Sequence, residues 1–232
     1  MVGFSGQSES NLSVRQQWTG FQNNPQTIQL DFQHPVNRRI ALGLNVYDDK
    51  TVLLSNTSAM ITFGYKVPLA EDHTLGFGLS AGFLSNRLRL EDASNADIND
   101  PALLNATNNF NFDGQFGVHY KYKGLALGFS LTKLTDNDAF SENAFQEIKF
   151  NQLKNKIAFA TYRFNLSDAI AFQPAFSYHF TSNDINFFDA LGIVSYKGIV
   201  DVGGGYRQDF GPTALVRFAW KNLQFGYAFD FP

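Results

Sequence analysis

The stretch Gly78-Leu79-Ser80-Ala81-Gly82 spells G-x-S-x-G, the spacing that presents a nucleophilic serine on a sharp strand-to-helix turn. Such a serine needs a general base beside it and an oxyanion hole at the turn. Here large apolar and small residues alternate on both sides of Ser80, from Leu75 to Phe83, which places the serine inside an extended strand and removes the turn. Gly76, Gly78 and Ala81 imitate a dinucleotide fingerprint, but no helix follows whose N-terminus could hold a pyrophosphate. Small residues along one face of a strand account for both spellings. Of the four histidines, His34 and His73 read as turn residues, while His119 and His179 read as polar-face residues of separate strands, with no pair at metal-ligand spacing. The acidic run Glu91 to Asp100 lacks the glycine and terminal glutamate of a calcium loop and reads as a solvated loop. Cysteine is absent, which excludes disulfides, thiolate metal sites and thiol catalysis. No catalytic, metal or cofactor site is expected, and the chain reads as something other than an enzyme.

The elements that carry these residues share a period of two. The apolar set is Ile28, Leu30, Phe32 in one segment, Ile40, Leu42, Leu44, Val46 in the next, then Ala59, Ile61, Phe63, Tyr65. It ends with Leu223, Phe225, Tyr227, Phe229 and Phe231, which alternate with Gln224, Gly226, Ala228 and Asp230. About thirteen strands fit: 12–19, 26–33, 39–46, 57–66, 74–83, 112–122, 125–134, 154–164, 169–180, 185–195, 199–207, 213–220 and 223–231. In 154–164 and 185–195 the phase slips, as at a bulge.

Connections at 34–38, 67–73, 121–124, 165–168, 196–198 and 221–222 read as short, and those at 47–56, 85–109 and 135–152 as long. Long and short connections fall on opposite strand ends, the asymmetry of transmembrane barrels. The long ones collect acidic residues such as Asp48, Asp49, Glu91, Asp136 and Glu142, and the short ones basic residues such as Arg38, Lys123, Lys197 and Lys221.

A soluble β-sandwich would alternate too. Three features count against it. The strands approach the ~9–11 residues that a tilted membrane strand needs; glycine and serine crowd the non-apolar face; and aromatics such as Trp18, Tyr65, Tyr122, Tyr196 and Trp220 gather near strand ends, as in interfacial girdles. No apolar run is long enough for a spanning helix, which leaves a barrel as the membrane-spanning option. A net charge of -3 gives no electrostatic reason to expect nucleic acid. The 232 residues carry no linker and read as one domain. In a barrel, Arg15, Gln17, Asp31, His119, His179, Arg207 and Arg217 face the lumen, either filtering solutes in an open pore or forming a satisfied network in a filled one. The same alternation implies that Leu79→Arg damages more than Ser80→Arg.

Several stretches resemble one family. "VRQQWTGFQNNPQTIQLDFQHPV" is similar to the R-x-Q-W-x-G-F and P-x-T-x-x-L-x-F-x-x-P opening of the PorP/SprF outer-membrane proteins of Bacteroidetes. "RIALGLNVYDDK", "LGFGLSAGF", "NDPAL" and "FGVHYKYKGLALGFSLTKLTDN" look like its later strands and loops, and "LQFGYAFDF" like its G-Y-A-Y-D-Y strand. The resemblance implies an outer-membrane β-barrel associated with type IX secretion and gliding motility, which helps a secreted or surface-anchored client protein reach or stay on the cell surface. It supplies no catalytic residues. A passive channel for small or hydrophobic solutes is the alternative. Against the family, the chain shows no signal peptide and only "GFSG" of the N-P-A-F-A-G lead. Thirteen strands would be an odd number where single-chain bacterial barrels have an even one, so 223–231 is expected to be the penultimate strand and a returning fourteenth is expected beyond it.

Overall fold

The computed structural model describes residues 6–20, 24–51, 54–88, 108–135, 156–181 and 186–231, and among them there is no helix. The strands are β1 (Glu9–Gln16), β2 (Gln26–Pro35), β3 (Ile40–Lys50), β4 (Leu54–Ala70), β5 (His73–Leu88), β6 (Asn108–Tyr122) and β7 (Leu125–Leu131). They continue with β8 (Lys156–Tyr162), β9 (Phe164–Asn165), β10 (Ile170–Phe180), β11 (Phe187–Tyr196), β12 (Val200–Arg207), β13 (Gly211–Trp220) and β14 (Leu223–Asp230). They form one antiparallel up-and-down sheet whose order follows the chain, with β9 pairing β10 off the main path. Among the described residues, β1 and β14 stand at the two ends of that order.

The chain divides into two compact units, Met1–Lys66 with Gly76–Phe116 and Thr132–Leu153, and Val67–Leu75 with Gly117–Leu131 and Lys154–Pro232. Within the first, β2 and β3 pair in register from Gln26↔Lys50 to Pro35↔Ala41, and β3 and β4 from Ile40↔Tyr65 to Lys50↔Ser55. Backbone approach is close enough that a Cβ on Gly82 would run into the Ala59 carbonyl oxygen and lie 2.8 Å from the Met60 Cα. Only glycine fits there. Within the second unit, β10 to β14 pair one after another, from His179↔Phe187 through Val202↔Val216 to Trp220↔Leu223.

Burial runs opposite to that of a water-soluble sheet. In β4, Ile61 is 67% exposed and its neighbour Met60 only 3%. In β5, Leu79 is 54% exposed and Ser80 8%. Among the described residues the buried apolar side chains are Ala41, Met60 and Ala171, whereas Thr62, Ser80, Asn86, Asp113, His119, Ser195 and Asp201 are buried and polar. Aromatic and branched side chains cover the exposed face along every long strand, among them Phe63, Phe83, Phe176, Val202, Phe225 and Tyr227.

The thirteen expected strands correspond to the thirteen strands of the main path, and several details differ. Strand 12–19 becomes Glu9–Gln16, and Trp18 lies beyond it with a φ of 52°. The connection read as 47–56 shrinks to residues 51–53, because β3 and β4 keep pairing to Lys50↔Ser55 and take Asp48 and Asp49 into a strand. Thr57 and Thr27 hydroxyls donate to those two carboxylates at 2.7 and 2.6 Å, which satisfies them inside the ladder. The connection read as 67–73 is the pair Glu71-Asp72, so His73 begins β5 and His34 lies in β2 rather than in a turn. Neither phase slip is a bulge. β11 keeps one register with both neighbours, and β8 and β9 share one register against β10. Pairing skips Tyr162 and Arg163, opposite Pro174 and Gln173, and Pro174 has no N–H to give the ladder. The loop segments 89–107 and 136–155, with the acidic run from Glu91 and the "NDPAL" motif, lie outside the described residues.

Candidate functional site

Antiparallel pairing sets odd-numbered residues of β10 to β13 on one face, and their register lines up two similar rows. In the first, Ser177 of β10 stands opposite Asp189 of β11, which stands opposite Arg207 of β12. The Arg207 guanidinium donates from Nε to Asp189 Oδ1. Asp189 Oδ2 lies 2.9 Å from His179 Nε2 and accepts from the Ser177 hydroxyl at 3.2 Å. His179 stacks on Phe187 with ring centroids 4.3 Å apart and planes 9° apart, which fixes the imidazole. In the second row Ser195 of β11, Asp201 of β12 and Arg217 of β13 are register partners, and Arg217 Nε donates to Asp201 Oδ2 at 2.6 Å. Asp201 is 5% exposed, and the Arg217 guanidinium is its ionic partner.

Serine, histidine and aspartate in the first row have the composition of a hydrolytic triad and the wrong geometry. A triad uses the two ring nitrogens separately, one for serine and one for the carboxylate. Here Ser177 Oγ, at 3.3 Å, and Asp189 both meet Nε2. The group is a charge network. Ser80 does not supply a nucleophile either: its hydroxyl shares a 2.8 Å hydrogen bond with Thr62 in the middle of paired strands. Among the described residues no group of three or more His, Asp or Glu side chains is arranged to hold a metal ion.

The first unit carries its own polar cluster on the same odd-numbered positions. Asn45 Nδ2 donates to Asp31 Oδ1 at 2.6 Å across the β2–β3 pair, and Gln29 Nε2 donates to Asp31 Oδ2 at 2.8 Å. Arg15 lies opposite Thr27 in the β1–β2 ladder. Gln17 lies just past β1, its backbone N–H donating to the Pro25 carbonyl at 3.0 Å. Buried Asp113 of β6 accepts through one oxygen from the backbone N–H of Gly114, Leu134 and Thr135 and from the Thr135 hydroxyl, at 2.7 to 3.1 Å. That carboxylate ties the segment after β7 to β6. In the second unit, buried His119 faces the Phe159 ring at 5.9 Å, and Phe159 in turn lies across Gly128.

The seven polar positions expected from sequence have different local settings within their units. Asp31, His179, Arg207 and Arg217 enter cross-strand networks; Arg15 and Gln17 belong to the β1 end, and His119 packs on an aromatic ring. Their acidic partners, Asp189 and Asp201, and the latch Asp113 were not anticipated. The pairing of hairpins joined by short turns carries the signal for two of them: folding 196–200 back on itself sets Asp189 against Arg207, and folding 207–211 back sets Asp201 against Arg217.

A comparison with curated proteins finds no match. Among solved structures, a crystal structure of a double variant of OccD1 (OprD) aligns with 97% of this chain at 13% identity and a TM-score of 0.39. The chain spans 66% of that protein's length, just under two thirds. The family profile described as type IX secretion system membrane protein PorP/SprF matches residues 1–232. The whole chain therefore belongs to the PorP/SprF family of type IX secretion system membrane proteins.

Proposed function

We propose that this protein is an outer-membrane β-barrel accessory of type IX secretion, which assists the export or surface attachment of a partner protein. The observation that carries the membrane reading is the inverted burial. A row of exposed side chains such as Leu42, Leu44, Ile61, Phe63 and Leu79 is stable against hydrocarbon and a liability in water. Its upper limit is visible in β3 and β4, where the apolar set stops at Val46 and Ala59 and the next position on that face holds Asp48, paired with Lys50 at 3.0 Å. Family membership supports the secretion role. In this reading the polar face lines the lumen of the barrel, with Arg15, Gln17, Asp31, His119, His179, Arg207 and Arg217 pointing into it.

The alternative, a passive channel, draws on the mixed charges of the Asp189–Arg207 and Asp201–Arg217 rows, which could filter solutes. Planar-bilayer conductance and affinity capture from the native membrane separate the two. A secreted protein that co-purifies, together with low steady conductance, supports the accessory. Large steady conductance with no client supports the channel and overturns the proposal.

A further inference from the structure

Three tight turns of the second unit repeat one device. At Tyr122-Lys123, Tyr196-Lys197 and Trp220-Lys221 an aromatic residue ends a strand on the exposed apolar face and the next residue is an exposed lysine. Each lysine has a positive φ, 48°, 52° and 54° in that order. Each ammonium stands over the ring before it, 5.3, 5.4 and 5.3 Å from the centroid. Positive φ suits glycine or asparagine at such turns and handicaps a lysine. The same handicap three times over, with the same ring contact, marks the ammonium as the feature these turns retain. In the up-and-down order these turns, β6–β7, β11–β12 and β13–β14, fall at the same strand ends within the unit. Lys121 is exposed beside the first of them, and Arg163 joins it by donating its backbone N–H to the Gly124 carbonyl at 2.9 Å.

We infer that these aromatic–lysine turns bind the phosphodiester headgroups of anionic phospholipids in the leaflet on the turn side. The inference rests on the membrane reading and adds a ligand to it. The apolar face continues directly into the rings of Tyr196 and Trp220, so acyl chains against that face bring their headgroups level with the rings. A ring under each ammonium engages one side of the cation and leaves N–H donors for phosphate oxygens. Acidic side chains of this unit's turns, Glu71, Asp72, Asp168 and Asp209, sit in other connections than the three lysine turns.

The test uses the full chain incorporated into phosphatidylcholine vesicles, with spin-labelled phosphatidylglycerol and spin-labelled phosphatidylcholine as probes. Wild type is expected to hold the phosphatidylglycerol probe preferentially in its lipid shell. Replacing the lysines, K123Q, K197Q and K221Q, is expected to reduce that preference by about fivefold per lysine at its turn, from ~1 kcal/mol per basic residue near an anionic surface. The corresponding Lys→Arg triple variant keeps the charge and is expected to keep the preference. Equal preference in wild type and the Gln triple, or no preference in wild type, overturns the inference and leaves these turns to a protein partner. A wild-type protein that binds inorganic phosphate in detergent and shows no phosphatidylglycerol preference in vesicles would bind free phosphate at these turns, and the lipid assignment would fall. Vesicle flotation and heat-modifiable gel mobility are read on the same samples. A chain that floats and folds without lipid preference fails this inference alone, whereas one that never enters vesicles fails the membrane reading and the inference with it.

Discussion

Leu79→Arg is the most direct perturbation of the membrane reading, and its size follows from the position of Leu79 along β5. That strand starts at His73, whose imidazole meets the Tyr120 hydroxyl at 2.6 Å and stacks on Tyr122 at 4.0 Å, a polar and aromatic group suited to the headgroup level. Leu79 lies six residues further on, roughly 20 Å at ~3.4 Å per residue. A strand tilted by about 40° converts this to roughly 16 Å of depth, within a few Å of the middle of a band ~25 Å tall. Arginine at that depth on the lipid face should cost about 2–4 kcal/mol. In water, exchange of a 54% exposed leucine for arginine would change stability by no more than ~0.5 kcal/mol, so the two environments predict different magnitudes. The measurement is urea unfolding of the protein in lipid vesicles, followed by the gel mobility of the folded form. A Leu79→Arg variant as stable as wild type would refute the lipid-facing assignment of β5. Ser80→Arg is no longer the mild companion that alternation alone implies: Ser80 is buried against Thr62 at 2.8 Å, and an arginine there has to displace packed strands. The matched control is Ser80→Ala, expected to cost about 1 kcal/mol for the lost hydrogen bond.

Other perturbations reach the two faces and their spacing. A double-mutant cycle on Asp189→Asn and Arg207→Gln should return a coupling of about 1–2 kcal/mol in urea unfolding, reduced from that of a fully buried pair because the arginine is part exposed; additive effects would dissolve the network. Gly82→Val should lower stability by about 1–3 kcal/mol or more, since its Cβ meets the Ala59 carbonyl, and an unchanged unfolding midpoint would show that β4 and β5 do not approach as described. Asp113→Asn keeps one acceptor oxygen while Asp113→Ala removes all four hydrogen bonds, so Ala should expose the segment after β7 to limited proteolysis far more than Asn; equal cleavage would deny the latch.

Period-two alternation made the strands legible because each strand touches two unlike surroundings, and the apolar residues that register on paper, such as Ile61, Phe63, Leu79 and Phe225, are those the structure exposes. Strand ends were less legible. Asp48 and Asp49 read as loop residues by composition, yet ladder hydrogen bonds and carboxylate–hydroxyl pairs extend β3 and β4 past the apolar band, where hydropathy no longer reports on pairing. The apparent slip near residue 162 came from side-chain pattern alone. Pairing shows an unbroken register with a gap opposite Pro174, where Thr161 instead donates its hydroxyl to the Pro174 carbonyl at 2.8 Å.

The polar face was legible as a list of residues and illegible as an arrangement, because alternation reports which face a side chain occupies and says nothing of its neighbour across the ladder. Arg207 and Arg217 look alike in one dimension. Register gives each a carboxylate on the adjacent strand, and a serine on the strand beyond it, so that the two rows repeat Ser–Asp–Arg one strand apart. On the residues between the rows, Leu191, Ile193 and Leu215 reach over Gly203 and Gly205, whose added Cβ atoms would lie 3.0 to 3.2 Å from those side chains. Glycine on β12 therefore makes room for apolar side chains on the polar face, and that filling isolates the two ion-pair rows from each other. A chain that needed a continuous polar path along these strands would place hydroxyls or amides there. The alternation of paired charge, apolar filler and paired charge fits a face held rigid by its own side chains, which is why the accessory reading ranks ahead of the channel.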